Sequence, residues 1–164
     1  MKTAVYPGSF DPITNGHLDV VERAQSFFDK LYILVAHSFD KSPLFTTEER
    51  IELIKKSTQV FSDRIEIVSW SGLTVDFVKK NKIDCIIRGV RSTVDFRTER
   101  TLANVNYELY SECETILFCC RPVYRDLSSR MVKEIAHHGG EIGKFVPVHV
   151  AKALKLKYEQ RNKI

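Results

Sequence analysis

Five short apolar runs punctuate the chain, at Thr3–Tyr6, Leu31–Ala36, Ile65–Ser69, Cys85–Arg88 and Thr115–Cys119. Each is nearly continuous in apolarity and rich in Val and Ile, the pattern of strands covered on both faces of a parallel sheet. Between the runs, apolar residues recur at helical spacing, as in Leu18, Val21, Ala24 and Phe28. Helices are predicted over Gly16–Phe28, Thr47–Gln59, Thr74–Asn81 and Asp95–Ser111, followed by a short helix at Ser129–His138 and a last one over Val148–Gln160. Thr46 and Glu49 have the spacing of a capping box at the start of the second helix. Strand and helix in regular alternation predict an α/β fold, a doubly wound five-stranded parallel sheet with C-terminal helices and right-handed crossovers. Such sheets bind ligands at the carboxyl ends of their strands, where the strand order reverses. No linker, repeat or low-complexity segment divides the 164 residues, so one domain with a sizeable core is expected. Only Glu159–Ile164 reads as frayed.

The first strand runs into the most distinctive polar stretch, Tyr6-Pro7-Gly8-Ser9-Phe10-Asp11-Pro12-Ile13-Thr14-Asn15-Gly16-His17. Pro7 lacks an N–H and is expected to end strand pairing, and Gly8 permits a turn that other residues resist. Thr14 or Asn15 can cap the next helix. His17 then sits in its first turn, over the open end of the strand. Free N–H groups and a partial positive charge make a helix N-terminus a phosphate site. The residues alone therefore indicate a nucleotide-phosphate site that contains an imidazole. Asp11 is the only acid in this loop, and Pro12 beside it suggests a turn role.

Two later segments carry further groups suited to phosphate. Arg88-Gly89-Val90-Arg91 closes the fourth strand and aims two guanidinium groups at the open end, where they match phosphate in bidentate geometry. Leu127-Ser128-Ser129-Arg130 opens the short helix, where serine hydroxyls and backbone donors coincide. Arg130 either reaches a triphosphate or pairs with Glu134 four residues on. Glu99 reads alternatively as a surface acid paired with Arg97 or Arg100.

Composition narrows the partners. The chain is 43% hydrophobic and 28% charged, the balance of a globular protein. A net charge of +4, spread along the chain, favours small anionic substrates at least as well as nucleic acid. No nucleic-acid partner is expected. No apolar run has membrane-spanning length and no signal peptide is evident, so no membrane partner and a cytoplasmic location are expected. The four cysteines, Cys85, Cys113, Cys119 and Cys120, form no C-x-x-C pair. Those in strand-like runs are expected to be buried thiols. No metal ligands are assigned: His137-His138 lacks an H-E-x-x-H context and reads as a solvated helix end. Gly139–Phe145 falls one residue short of a Walker A loop and reads as a turn between helices. No G-x-G-x-x-G follows the first strand, and no G-x-S-x-G is present.

Thr14-Asn15-Gly16-His17 resembles the (T/H)-x-G-H signature of the nucleotidyltransferase superfamily. The longer string from Tyr6 to His17 is similar to that of bacterial phosphopantetheine adenylyltransferases, and the likeness runs at consistent spacing to about Val146. The resemblance implies a single nucleotidyltransferase domain over 1–164, Rossmann-like, with strand order 3-2-1-4-5. It implies transfer of the adenylyl group of ATP to 4′-phosphopantetheine, giving dephospho-coenzyme A and pyrophosphate. Catalytic roles fall on His17, Lys41, Arg88 and Arg91, counted as fixed positive groups. ATP contacts fall on Ser9, Phe10, His17, Gly89, Val90, Arg91 and Glu99, and on the run Tyr124, Arg125, Asp126, Leu127, Ser128, Ser129 and Arg130. Contacts to phosphopantetheine fall on Ser9, Lys41, Thr74 and Arg88. Mg2+ would arrive with ATP, held mainly by phosphates, and a homohexamer is the implied assembly. Two positions depart from the family pattern: Arg130 stands where Ser or Thr is usual, and Thr98 where Tyr is common. The same superfamily also offers transferases of cytidylyl groups or of other adenylyl acceptors, and a silent nucleotide-sensing module would share the fold.

Overall fold

The computed structural model of the chain describes residues 2–37, 42–61 and 63–161. Its elements alternate as β1 (Thr3–Gly8), α1 (Asn15–Ala24), β2 (Lys30–Ala36), α2 (Thr47–Thr58), β3 (Ile65–Trp70), α3 (Thr74–Asn81), β4 (Cys85–Val90), α4 (Thr93–Leu109) and β5 (Glu114–Cys119), then α5 (Ser129–His137) and α6 (Val148–Arg161). The strands form one sheet in the order β3-β2-β1-β4-β5 with every pairing parallel, as expected. Alternate strand residues feed two core layers. Ala4, Tyr6, Ile33 and Ile87 pack under α1, α2, α5 and α6 with Val21, Ile54, Val132 and Leu154. Val5, Leu34 and Ile86 pack on the other face against Val75, Phe77 and Val78 of α3.

Two expectations from the pattern need correction. β1 does not stop at Tyr6: Pro7 and Gly8 continue to pair with Leu34 and Val35 of β2. Proline is tolerated because β1 and β4 pair only at Ala4–Cys85 and Val5–Ile86 before they part. Beyond Val5 the missing N–H therefore breaks no ladder, and Arg88 Nη1 instead donates to the Pro7 carbonyl at 2.8 Å. This gap between β1 and β4 is where the strand order reverses. The thiols divide as well. Cys85 and Cys113 are buried, but Cys119 is exposed and Cys120 half-buried, because β5 is an edge strand whose carboxyl end is uncovered. Cover is thin along this side, where α4 buries none of its residues.

The helix starts follow the sequence closely. Thr46 and Glu49 make the expected reciprocal cap of α2. α1 begins at Asn15, whose N–H donates to Phe145 and whose side chain donates to Lys144, so the segment before α6 closes over the start of α1. Residues 139–145 form the connection between α5 and α6 expected of that glycine-rich stretch, with Gly139 at φ 75°. Among the described residues, no helix is long and apolar enough to cross a membrane.

Candidate active site

Where β1 and β4 part, a cleft of about 380 Å³ opens, walled by the β1 loop, the first turn of α1, the ends of β4 and β5, and the N-terminus of α5. Local sequence builds each wall. Gly8 is required by close approach: a Cβ there would lie 2.9 Å from Cζ of Phe10. Phe10 itself is buried at φ 45°, an uncommon backbone conformation for such a side chain, and packs edge-on against Tyr6 and His17. Asp11 does more than turn the chain. Its carboxylate accepts from the N–H groups of Leu44 and Phe45 at 3.0 and 2.9 Å and from Lys133 Nζ at 2.6 Å. Burial works against its charge, but these donors outweigh burial and hold the carboxyl below its usual range. Asp11 thus joins the β1 loop to α5 and to the segment just after residues 38–41.

His17 stands at the third position of α1 in a capping box in which an imidazole replaces the usual Glu or Gln. The Thr14 N–H donates to Nδ1 at 3.0 Å. A backbone N–H can only donate, so Nδ1 carries no proton and the neutral ring bears its hydrogen on Nε2. Burial, then the charges of Arg91 and Arg88, push the His17 pKa down to about 4. His17 is therefore a neutral hydrogen-bond donor in the cleft, not the cation counted from the sequence.

The two arginines of β4 line the cleft but are already engaged. Arg88 makes a bidentate pair with Glu99, Nε–Oε2 2.6 Å and Nη2–Oε1 2.8 Å. Glu99 thus pairs with Arg88, not with Arg97 or Arg100. Burial opposes the charge of Arg88, and the Glu99 carboxylate more than restores it, so its pKa is raised. Arg91 Nε donates to Asp95 at 2.9 Å and Nη1 to the Leu127 carbonyl at 2.6 Å. On the facing wall, Ser128 caps α5 by accepting from the Met131 N–H, and Ser129 Oγ donates to the Pro12 carbonyl at 2.7 Å. The Ser129 hydroxyl proton is thus spent within the chain, leaving its oxygen and the helix N–H groups to face a ligand.

Of the residues expected here, Ser9, Phe10, His17, Arg88, Gly89, Arg91 and Glu99 line this cleft, as do Tyr124, Leu127, Ser128 and Ser129. Val90 is buried beneath it, its carbonyl taken by the Cys120 N–H. Arg125 and Asp126 are exposed and pair with each other at 3.1 Å, outside the lining. Thr74 begins α3, away from the lining. Arg130 lines a flanking cavity of about 530 Å³ with Lys133, Arg50 and His37, which shares Ser9 and Ser129 with the cleft. It forms no ion pair with Glu134, or with any other acid among the described residues. Lys41 lies outside the described residues. Sequence reasoning missed Tyr6, Val20 and Cys120, which line the cleft's apolar end. Asp95 was legible in its spacing of four from Arg91. Among the described residues, no group of three His, Cys, Asp or Glu side chains could hold a metal ion.

The Cytidylyltransferase-like family model matches residues 5–135. A phosphopantetheine adenylyltransferase from Limosilactobacillus reuteri is 42% identical over 161 residues, 98% of this chain and 92% of its own length. One from Dictyoglomus turgidum is 45% identical over 159 residues, 97% of this chain and 99% of its own. Among solved structures, a bifunctional NMN adenylyltransferase/ADP ribose pyrophosphatase from Francisella tularensis superposes with a TM-score of 0.69 at 15% identity, over 99% of this chain and 53% of that one. At that identity the last comparison speaks for the fold alone.

Proposed function

Because the chain belongs to the phosphopantetheine adenylyltransferase family of cytidylyltransferase-like proteins, we propose that the cleft between β1 and β4 is where its two substrates meet. The protein transfers the adenylyl group of ATP to 4′-phosphopantetheine, releasing dephospho-coenzyme A and pyrophosphate. The attacking group is a phosphate with a second pKa of about 6, largely dianionic at neutral pH, so no general base is needed. The task is to hold two anions in line and to stabilise charge that builds on the α-phosphate. His17 supplies a neutral Nε2–H, Arg91 a cation, and the N-terminus of α5 with Ser128 and Ser129 the donors for the β- and γ-phosphates.

Arg88 and Lys41 serve the phosphate of phosphopantetheine. In the free enzyme Glu99 occupies Arg88, so that phosphate enters by displacing or sharing a carboxylate. Mg2+ fits this donor set only as an ion borne by the triphosphate and water, since Glu99 is the one carboxylate lining the cleft among the described residues. When bound it neutralises the phosphate oxygens of the leaving pyrophosphate. A cytoplasmic enzyme assembled as a homohexamer completes the reading. An exposed row of Val94, Leu102, Val105 and Leu109 on α4 supports association.

The observation that carries the reading is the Thr14–His17 box, which fixes a protonated Nε2 at a helix N-terminus in the cleft. His17→Ala is expected to bind ATP and to fold, with kcat lowered by roughly 10²–10³, the scale for one preorganised donor. Pyrophosphate release with ATP and phosphopantetheine measures this. Near-native turnover would remove His17 from the mechanism.

A further inference from the structure

Asp19 lies on α1 two residues after His17, and its side chain is 1% exposed. Its two oxygens face two arginines: Oδ2 is 3.1 Å from Arg23 Nη1, and Oδ1 is 3.0 Å from Arg121 Nε. Oδ1 is buried and takes no hydrogen bond, so Arg121 answers it by charge alone. The arginines in turn hold the chain that leaves β5. Arg23 Nη1 donates to the Cys119 carbonyl at 2.8 Å. Arg121 follows Cys120 directly and opens the turn at Pro122–Tyr124, its carbonyl accepting from the Tyr124 N–H.

That turn forms the apolar wall of the cleft through Cys120, Tyr124 and Leu127. It also holds Arg91, through the 2.6 Å bond from Nη1 to the Leu127 carbonyl. An unbroken line of contacts therefore joins the helix that carries His17 to the loop that carries Arg91. It passes through a buried carboxylate, which is costly to leave uncompensated and so has one well-defined arrangement.

We propose that Asp19, acting through Arg121, is a positioning residue for adenylyl transfer: it sets the spacing between His17 on one wall and Arg91 with the apolar end of the cleft on the other. The proposal rests on the cleft being the site of transfer. Neither Asp19 nor Arg121 lines the cleft, so their influence runs entirely through this spacing.

Arg121 is 54% exposed, so Arg121→Ala keeps the fold and leaves Asp19 its Arg23 partner. Its kcat/KM for ATP is expected to fall about tenfold, within the ~10²-fold that an ångström of misplacement can cause. KM for phosphopantetheine and the melting temperature should not change. Arg121→Lys should restore most of the loss. Asp19→Asn should show the same selective loss, and the double variant should be no worse than Asp19→Asn alone, since the two act as one unit. Glu22→Gln, which removes the outer partner of Arg121 at 3.8 Å, should behave as wild type.

Wild-type kcat/KM for ATP in Arg121→Ala, or a loss that Arg121→Lys does not rescue, overturns the proposal. So do additive losses in the double variant. Should Asp19→Asn fail to fold, the Ala and Lys variants decide alone. Calorimetry with ATP separates this proposal from the larger reading. Weakened ATP binding in Arg121→Ala supports the spacing even if His17→Ala keeps its turnover, which would count against the cleft chemistry instead.

Discussion

A single hydrogen bond decides what His17 can do. With Nδ1 taken by the Thr14 N–H, the ring offers a donor without a charge. The signature Thr14-x-x-His17 could have revealed this in the sequence, because it has capping-box spacing, but an imidazole is not the usual residue at that position. The cysteines illustrate the opposite limit: apolar surroundings in sequence did not say which strand would lie at an edge. Burial pushes the Cys85 thiol up to about 12 and Cys113 up to about 11. Cys120 is also raised, by burial first, and lines the cleft. Alkylation followed by mass spectrometry should therefore mark Cys119 first, Cys120 next and more slowly with ATP present, and Cys85 and Cys113 only on unfolding. Labelling of Cys120 that ignores saturating ATP would place the nucleotide elsewhere.

At the scale of elements, strand positions and the helices between them were legible, because buried parallel strands and amphipathic helices leave different periods, whereas the strand order came from the family resemblance. The reach of β1 was not. Proline ends pairing only where a partner strand needs its N–H, and the parting of β4 is a tertiary fact. The engagement of Arg88 by Glu99 and the bond from Arg91 to Leu127 were hidden for a similar reason, since these partners lie eleven and thirty-six residues away. α5 carries the open question of Arg130. Its side chain leaves the N-terminal turn toward the flanking cavity beside Lys133, where the Asp11 carboxylate is taken by Lys133 and Arg130 forms no ion pair among the described residues. A triphosphate lying over that turn would meet it. Arg130→Ser is thus expected to weaken ATP binding severalfold and to reduce its salt dependence, leaving phosphopantetheine binding as before. ATP affinity that matches wild type across a salt series, measured by calorimetry, would put Arg130 outside the reaction.

For the whole molecule, the same buried groups set the response to acid. The folded pKa of His17 is about 4 against 6.5 in an open chain, so between these values the unfolded chain takes up a proton that the native state refuses. Stability therefore falls as pH drops from about 6.5, and this contribution levels off below about 4. Asp11, held below its usual range, acts in the same direction at lower pH, because its ion pair with Lys133 is lost on protonation. Denaturant titrations at pH 7, 6 and 5 should give a shallower decline for His17→Gln than for wild type. Parallel declines would mean that the imidazole is not buried in its neutral form.

The cleft also has a place in time. Ser129 fastens to the Pro12 carbonyl, and Phe145 receives the N–H of Asn15. The signature loop is thus made well before the segments that lock it. At synthesis rates of about 5–20 residues per second, the strand and imidazole wait roughly 6–26 seconds for their closing wall. A nascent chain arrested before α5 would present His17 on an unclosed surface, so competence to hold ATP should arrive late and in one step, as α5 docks.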